Sequence, residues 1–279
     1  MDTDCGRFMG AEAMTTLLQN ATIATMADTS LTRLFAVQMR LGFFDPRSSF
    51  APAMFGEEVI NTAAHQALAK EAADQSLVLL KNDAKTLPLA KTFEHSGKMV
   101  AVVGRNAEAT TNMQGNYFGT APFLISPCAG INATLKGFTW CDKADDKGAA
   151  TIALINAGKI GAVVLVVGLT SEGAAGSHDE AEGHDRSSLL LPNDQDAAIS
   201  AIATAAAAKK VQVVVVSMGG GPVDLSACKA NSAIGAIMWC GYPGQSGGAA
   251  IADALFGATN PSGKLTMTVS RDEERDLRD

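Results

Sequence analysis

Aromatic residues are scarce in this sequence: Phe, Trp and Tyr together make up 5% of its 279 residues. A core without many rings must be filled by the plentiful Ala, Gly and Val, which predicts helices packed closely on sheets. Charge is sparse too, at 18% of residues, and tilts acidic to a net −7. No lysine- or arginine-rich run occurs, so the reading is no nucleic-acid partner, and the acidic balance argues against an anionic membrane surface. No apolar run reaches the roughly 18 residues expected of a membrane span. The opening MDTDCGRFMG is acidic where a secretory leader would be basic and then apolar. Taken as they stand, these residues predict a soluble chain that is not exported. Cysteine is limited to Cys5, Cys128, Cys141, Cys228 and Cys240, widely spread and without a CxxC pair. That pattern predicts neither a disulfide framework nor a zinc knuckle, and leaves one or two bridges open.

What the sequence has is apolar bulk. Hydrophobic residues make up 47% of it, enough for one large domain or two modest ones, each with a core. Residues 11–41 read as two helices. The second is capped by Ser30 or Thr29, sets Leu31, Leu34, Phe35, Gln38 and Leu41 near one face, and stops at Gly42 before Pro46. RSSFAPAMFG (47–56) reads as a linker. A helix over about 60–78 then leads into LVLLKND, a buried run ending in a turn. MVAVVG (99–104), AVVLVVG (162–168), VQVVVVSM (211–218) and AIGAIMWC (233–240) follow, rich in Val or Ile and too apolar to be half exposed. β-Branched runs alternating with helices imply a mainly parallel sheet covered on both faces. One intervening helix, at about 194–209, has Asn193 as its cap. KLTMTVS (264–270) alternates and is expected to form an edge strand, with RDEERDLRD as a frayed tail. The fold class is therefore α/β: a three-layer α/β/α sandwich with a mainly parallel sheet of five or six strands, preceded by a short helical segment.

In such sheets the binding crevice lies at the carboxyl ends of the strands. Three loops should meet there: 104–119, the long loop 168–188, and SMGGGPVD (217–224). Two glycine-rich readings fare poorly. GYPGQSGG places Gly244, Ser246 and Gly248 as G-x-S-x-G, but too far past its strand for a nucleophile elbow, and all four histidines precede Ser246. The same run and GGGP lack the spacing of a phosphate-binding loop. The densest cluster of titratable groups is HDEAEGHDR (178–186). It has three readings: a metal site using His178, Asp179, Glu182 and His184; an acid/base loop using Glu180 or Glu182; or a solvated acidic turn, with Asp185 and Arg186 as an ion pair. The metal spacing matches neither a zinc helix nor a calcium loop. An acid/base role would need a carboxyl group with a raised pKa. Composition does not decide between them.

Several runs in order along the chain resemble a known family. RLFAVQMRLGFFDP (33–46), ALAKEAADQSLVLLKNDAKTLPL (67–89), VAVVGRNAEATTNMQGNYFGTAPFLISPCAGI (100–131), EAEGHDRSSLLLP (180–192) and the stretch 220–265 closely resemble glycoside hydrolase family 3. GNYFGTAPFLISP and EAEGHDR are most similar to its β-xylosidase-like branch. The resemblance implies retaining exo-glycosidases built from an N-terminal (β/α)8 barrel, an α/β sandwich domain and usually a fibronectin-like domain. Their nucleophile is an aspartate on the barrel, and their acid/base a glutamate on a sandwich-domain loop. The substrate implied is a xylo-oligosaccharide or β-glucoside, with no cofactor and no metal.

On this resemblance residues 1–45 correspond to the end of the barrel, 46–60 to the linker, 61–270 to the sandwich domain and 271–279 to a tail. MDTDCGRFMG resembles a segment late in the barrel, past the nucleophile, so Asp2 and Asp4 are not promoted to that role. The expectation is a truncated chain or fragment that carries the acid/base loop without the nucleophile; the alternative is a non-catalytic carbohydrate-binding or interaction module. Glu180, which matches the first glutamate of EAE, is the first choice for acid/base and Glu182 the second. Glu172 is the third, because in other branches the acid sits closer to the strand, and the longer connection TSEGAAGSHD leaves the assignment open. His184, Asp185, Arg186, Asn116 and Tyr117 are the expected substrate contacts. The surface that would face a barrel is expected to promote self-association.

Overall fold

The computed structural model describes residues 10–49, 51–144, 147–171, 179–183 and 185–273. The chain divides at Thr62/Ala63 into two compact units. The first carries α1 (Ala11–Leu17), α2 (Ala21–Arg40) and three short 3-10 turns, Arg47–Ser49, Ala51–Met54 and Glu57–Val59. The two expected helices are present, but the cap lies elsewhere. Asn20 Oδ1 accepts from the amides of Thr22 and Ile23 at 3.0 and 3.4 Å, satisfying two of the orphan donors of a helix start. Thr29 and Ser30 therefore lie inside α2, where the Thr29 hydroxyl donates back to the Thr25 carbonyl at 2.9 Å.

The second unit holds α3 (Ala63–Ser76), β1 (Val78–Asn82), α4 (Phe93–Ser96), β2 (Met99–Val103), α5 (Pro127–Thr134), β3 (Thr139–Asp142), α6 (Ala149–Asn156), β4 (Ile160–Gly168), α7 (Gln195–Ala208), β5 (Gln212–Met218), α8 (Ser226–Ala230), β6 (Ala236–Gly241) and α9 (Gly247–Leu255). Six strands form one sheet in the order β1-β6-β5-β4-β2-β3. All neighbours are parallel except β1, which runs antiparallel to β6. The valine runs are buried on both faces because side chains alternate along a strand. Val100, Val102, Val164, Val166, Val214 and Val216 point to a core shared with α3, α5 and α9. Val103, Val163, Leu165, Val213 and Val215 point to a second core shared with α6, α7 and α8. This is the three-layer sandwich expected.

Four local expectations are corrected. KLTMTVS forms no strand among the described residues: Leu265, Met267 and Val269 instead line a groove with Leu80 and Trp239 and remain exposed. LVLLKND is not a buried run, since β1 is an antiparallel edge with Leu79 and Leu80 exposed. The sheet's other edge, β3, is the TWCD of FTWCD, four partly exposed residues, too short and too polar to register as an apolar run. Asn193 does not cap α7, whose cap position is Asp194 in a left-handed conformation. The tail is not frayed at its start either. Asp272 Oδ1 accepts from the Ser188 hydroxyl and the Leu189 amide, and its own amide donates to Asp224.

Among the described residues a disulfide, Cys128–Cys141, joins the start of α5 to β3, and Cys228 and Cys240 are free and buried. Bridging residues 13 apart in sequence restricts the unfolded chain by about 3 kcal/mol on the loop-entropy model. Replacing both cysteines by serine is expected to lower the unfolding free energy by about that amount. Reductant should lower the midpoint of the native chain and leave the double variant unchanged in a thermal melt.

Candidate active site

The loops that follow β2, β4, β5 and β6 converge at the carboxyl edge of the sheet, as the topology requires. Their meeting is built on buried amides. Asn112, 1% exposed, donates to the Leu169 carbonyl at 3.0 Å and accepts from the Ser171 amide at 2.9 Å. Asn106, equally buried, donates to the same carbonyl at 3.2 Å. The Gln195 side chain brackets Gly168, accepting from its amide at 2.9 Å and donating to its carbonyl at 2.8 Å. These side chains satisfy backbone groups that leave the sheet at the end of β4 and would otherwise be buried unpaired. They fix the start of the long loop.

Asp179 then closes the base of that loop. Its Oδ2 accepts from Arg105 at 2.5 Å and from the Thr170 amide and hydroxyl at 2.9 and 3.2 Å. The Asp179 and Glu180 amides donate to the Thr170 carbonyl at 2.9 and 3.2 Å. Thr170 and Asp179, the first and last residues of TSEGAAGSHD, are thus drawn together.

Glu180 is held by donors from two other loops. Its Oε1 accepts from the Gly220 amide at 2.8 Å, the Gly221 amide at 3.3 Å and the Tyr242 hydroxyl at 2.5 Å; its Oε2 accepts from the Gly221 amide at 3.1 Å. Burial first, and then the adjacent Glu180 carboxylate, push the Tyr242 phenol well above its usual range. Glu182, two residues on, is exposed; its carboxylate neighbours the phenol of Tyr117, a ring 77% exposed, and raises that phenol's pKa. Arg186 does not pair with Asp185. It donates to the carbonyls of Pro222 at 2.8 Å and Leu190 at 2.7 Å. Burial lowers its pKa, against the opposing charges of Glu180, Asp179 and Asp272. Asp185 and Asn116 are exposed.

Glu172, His178 and His184 lie outside the described residues. Among the described residues no group of three or more His, Cys, Asp and Glu side chains could hold a metal, and Asp179 is already engaged by Arg105. Ser246 is 5% exposed, not presented at a turn as an elbow serine must be. Gly248 serves packing: a Cβ there would lie 2.0 Å from the Ser126 carbonyl oxygen. Sequence reasoning passed over Tyr242, which lies in a run read only as a turn, and Asn106 and Asn112. Their one signal was position, polar residues just past a buried strand.

Three comparisons bear on this arrangement. Residues 77–278 match the model of the glycosyl hydrolase family 3 C-terminal domain. A β-xylosidase/α-L-arabinofuranosidase 2 of Medicago sativa subsp. varia is 41% identical over 274 residues, covering 96% of this chain and 34% of that protein. β-D-Xylosidase 1 of Arabidopsis thaliana is 40% identical over 281 residues, with the same coverage. A solved family 3 exo-β-xylosidase, in complex with a xylobiose aziridine activity-based probe, superposes with a TM-score of 0.80 at 32% identity, over 99% of this chain and 34% of that one. The chain spans about a third of the length of the relatives it matches. It belongs to glycoside hydrolase family 3 and carries that family's C-terminal domain.

Proposed function

We propose that this chain supplies the acid/base half of a β-xylosidase-like, retaining exo-glycosidase site that acts on xylo-oligosaccharides or aryl xylosides. Glu182 is the acid/base, and the aspartate nucleophile belongs to a barrel outside the chain. One observation carries the choice of glutamate: Glu182 stands exposed, whereas Glu180 is occupied by two amides and a phenol. A general acid must reach the leaving oxygen, give up its proton, and then take one from water. Glu182 has the access for both steps. Asn116, Tyr117 and Asp185, exposed around it, are the proposed sugar contacts, and Arg186 holds the loop.

Retention requires the two carboxyl groups about 5–5.5 Å apart across the scissile bond, so a lone acid/base cannot form the glycosyl-enzyme intermediate. The purified 279-residue chain should release no nitrophenol from nitrophenyl xyloside. Residues 63–273 substituted for the corresponding part of the Aspergillus japonicus exo-1,4-β-xylosidase relative should give a hydrolysing chimera. Robust turnover by the chain alone overturns the assignment of the nucleophile elsewhere, and a folded but inert chimera overturns the acid/base role.

The proposal extends to assembly. Met39, Phe43, Phe44, Met54 and Phe55 are each at least 60% exposed, and α2 has no buried residue. Light scattering on the isolated chain should give a mass above that of the monomer, since exposed apolar clusters associate.

A further inference from the structure

The two glutamates of EAE are two residues apart and differ in every contact. We propose that Glu180 is a positioning residue, a latch whose carboxylate is gripped by the Gly220 and Gly221 amides and the Tyr242 hydroxyl, and which holds Glu182 beside Tyr117. This deepens the reading of Glu182 as acid/base and rests on it for its catalytic meaning.

The grip is specific to glycine at both positions. A Cβ on Gly221 would lie 2.6 Å from Glu180 Oε2, and one on Gly220 would lie 2.9 Å from the Tyr242 ring and 3.3 Å from Glu180 Oε1. The run MGGGP, unexplained as a phosphate loop, therefore clears room for a carboxylate and presents two amides to it. The Tyr242 ring is also seated against Gly115, where a Cβ would lie 3.1 Å from Cδ2. Gly115 opens GNYFG, which carries Tyr117. Glu180 is thus tied directly to the loops after β5 and β6, and through Tyr242 to the loop after β2. Two extended residues span at most about 7 Å, so anchoring Glu180 confines Glu182 to a small arc. The Arg186 bonds to Pro222 and Leu190 hold the far side of that arc. A carboxylate accepting several N–H and O–H bonds is a strong anchor, since each is charge-assisted.

The chain has only two tyrosines: Tyr242 is bonded to Glu180 and the Tyr117 phenol is raised by neighbouring Glu182, and that supplies the test. Incorporating 3-fluorotyrosine gives two fluorine resonances, assigned with Tyr117→Phe and Tyr242→Phe, whose titration midpoints report each contact in the full chain. Glu182→Ala should lower the Tyr117 midpoint alone. Glu180→Ala should lower both, because Glu182 leaves Tyr117 when the latch opens. Gly221→Ala should do the same by displacing the carboxylate. Glu180→Gln keeps an acceptor for the Gly220 amide and Tyr242, and should restore the Tyr117 midpoint most of the way to the native value. A Tyr117 midpoint unchanged in both Glu180→Ala and Gly221→Ala, with circular dichroism showing a native fold, overturns the latch. So does a Tyr117 midpoint that falls equally in Glu180→Gln and Glu180→Ala. None of these readouts depends on hydrolysis, so the latch and the acid/base assignment can fail separately.

Discussion

In a hydrolysing chimera, Glu182→Gln should lower kcat/KM for nitrophenyl xyloside by about 10²- to 10⁴-fold, the usual contribution of a positioned general acid. The loss should depend on the leaving group. A dinitrophenyl xyloside needs little protonation to depart, so formation of the glycosyl-enzyme survives the substitution. Its breakdown then becomes limiting, because no base activates water. Added azide, a nucleophile that requires no base, should therefore raise kcat for the dinitrophenyl substrate and yield the glycosyl azide. Glu180→Gln should show neither signature: a residue that only holds the loop lowers the rate for both substrates alike, and azide does not rescue it. If instead Glu180→Gln shows leaving-group dependence and azide rescue while Glu182→Gln remains active, the roles of the two glutamates are reversed.

Gly248→Ala should lower the stability of the chain by about 3 kcal/mol, at the upper end of what inserted atoms cost in a well-packed core. A Cβ at this position lies 2.0 Å from the Ser126 carbonyl oxygen and 2.4 Å from that of Ile125. Both are backbone atoms and cannot swing aside as a side chain would. The contact is reciprocal, since a Cβ on Gly130 lies 2.1 Å from the Gly248 carbonyl oxygen. Helices α5 and α9 therefore meet backbone to backbone. For a domain of this size the loss corresponds to a fall of about 6–12 °C in the thermal midpoint. Gly130→Ala should produce a similar fall, and the double variant less than the sum, because both changes force the same pair of helices apart. Gly119→Ala, with nothing within 4 Å of the added carbon, is the control and should shift stability by no more than about 0.5 kcal/mol. A midpoint for Gly248→Ala within a degree or two of the control would mean that the helices separate without cost.

Much of the architecture was legible because it depends on local pattern. Runs such as AVVLVVG can be satisfied only between two apolar layers, and helices between them require parallel crossovers. The carboxyl-edge loops could therefore be named before any coordinates. The scarcity of aromatics pointed to close helix packing, and the Gly130–Gly248 contact is how it is achieved. Short or borderline segments were not legible. FTWCD becomes β3 because β2 offers it a ladder, and KLTMTVS stays unpaired although it alternates, since pairing is decided by the neighbouring strand rather than by the segment.

The site divides the same way. Sequence by itself determined that EAEGHDR sits on a loop at the carboxyl edge of a parallel sheet, and that its residues resemble those of family 3 glycosidases. It ranked Glu180 above Glu182 on similarity alone. Only the tertiary structure gave the two glutamates different surroundings, because the donors that grip Glu180 lie 40, 41 and 62 residues away in sequence, at Gly220, Gly221 and Tyr242. A residue's type and spacing state what chemistry it can perform. Which lone pairs are already occupied, and which face open space, is set by groups that meet only when the chain has folded.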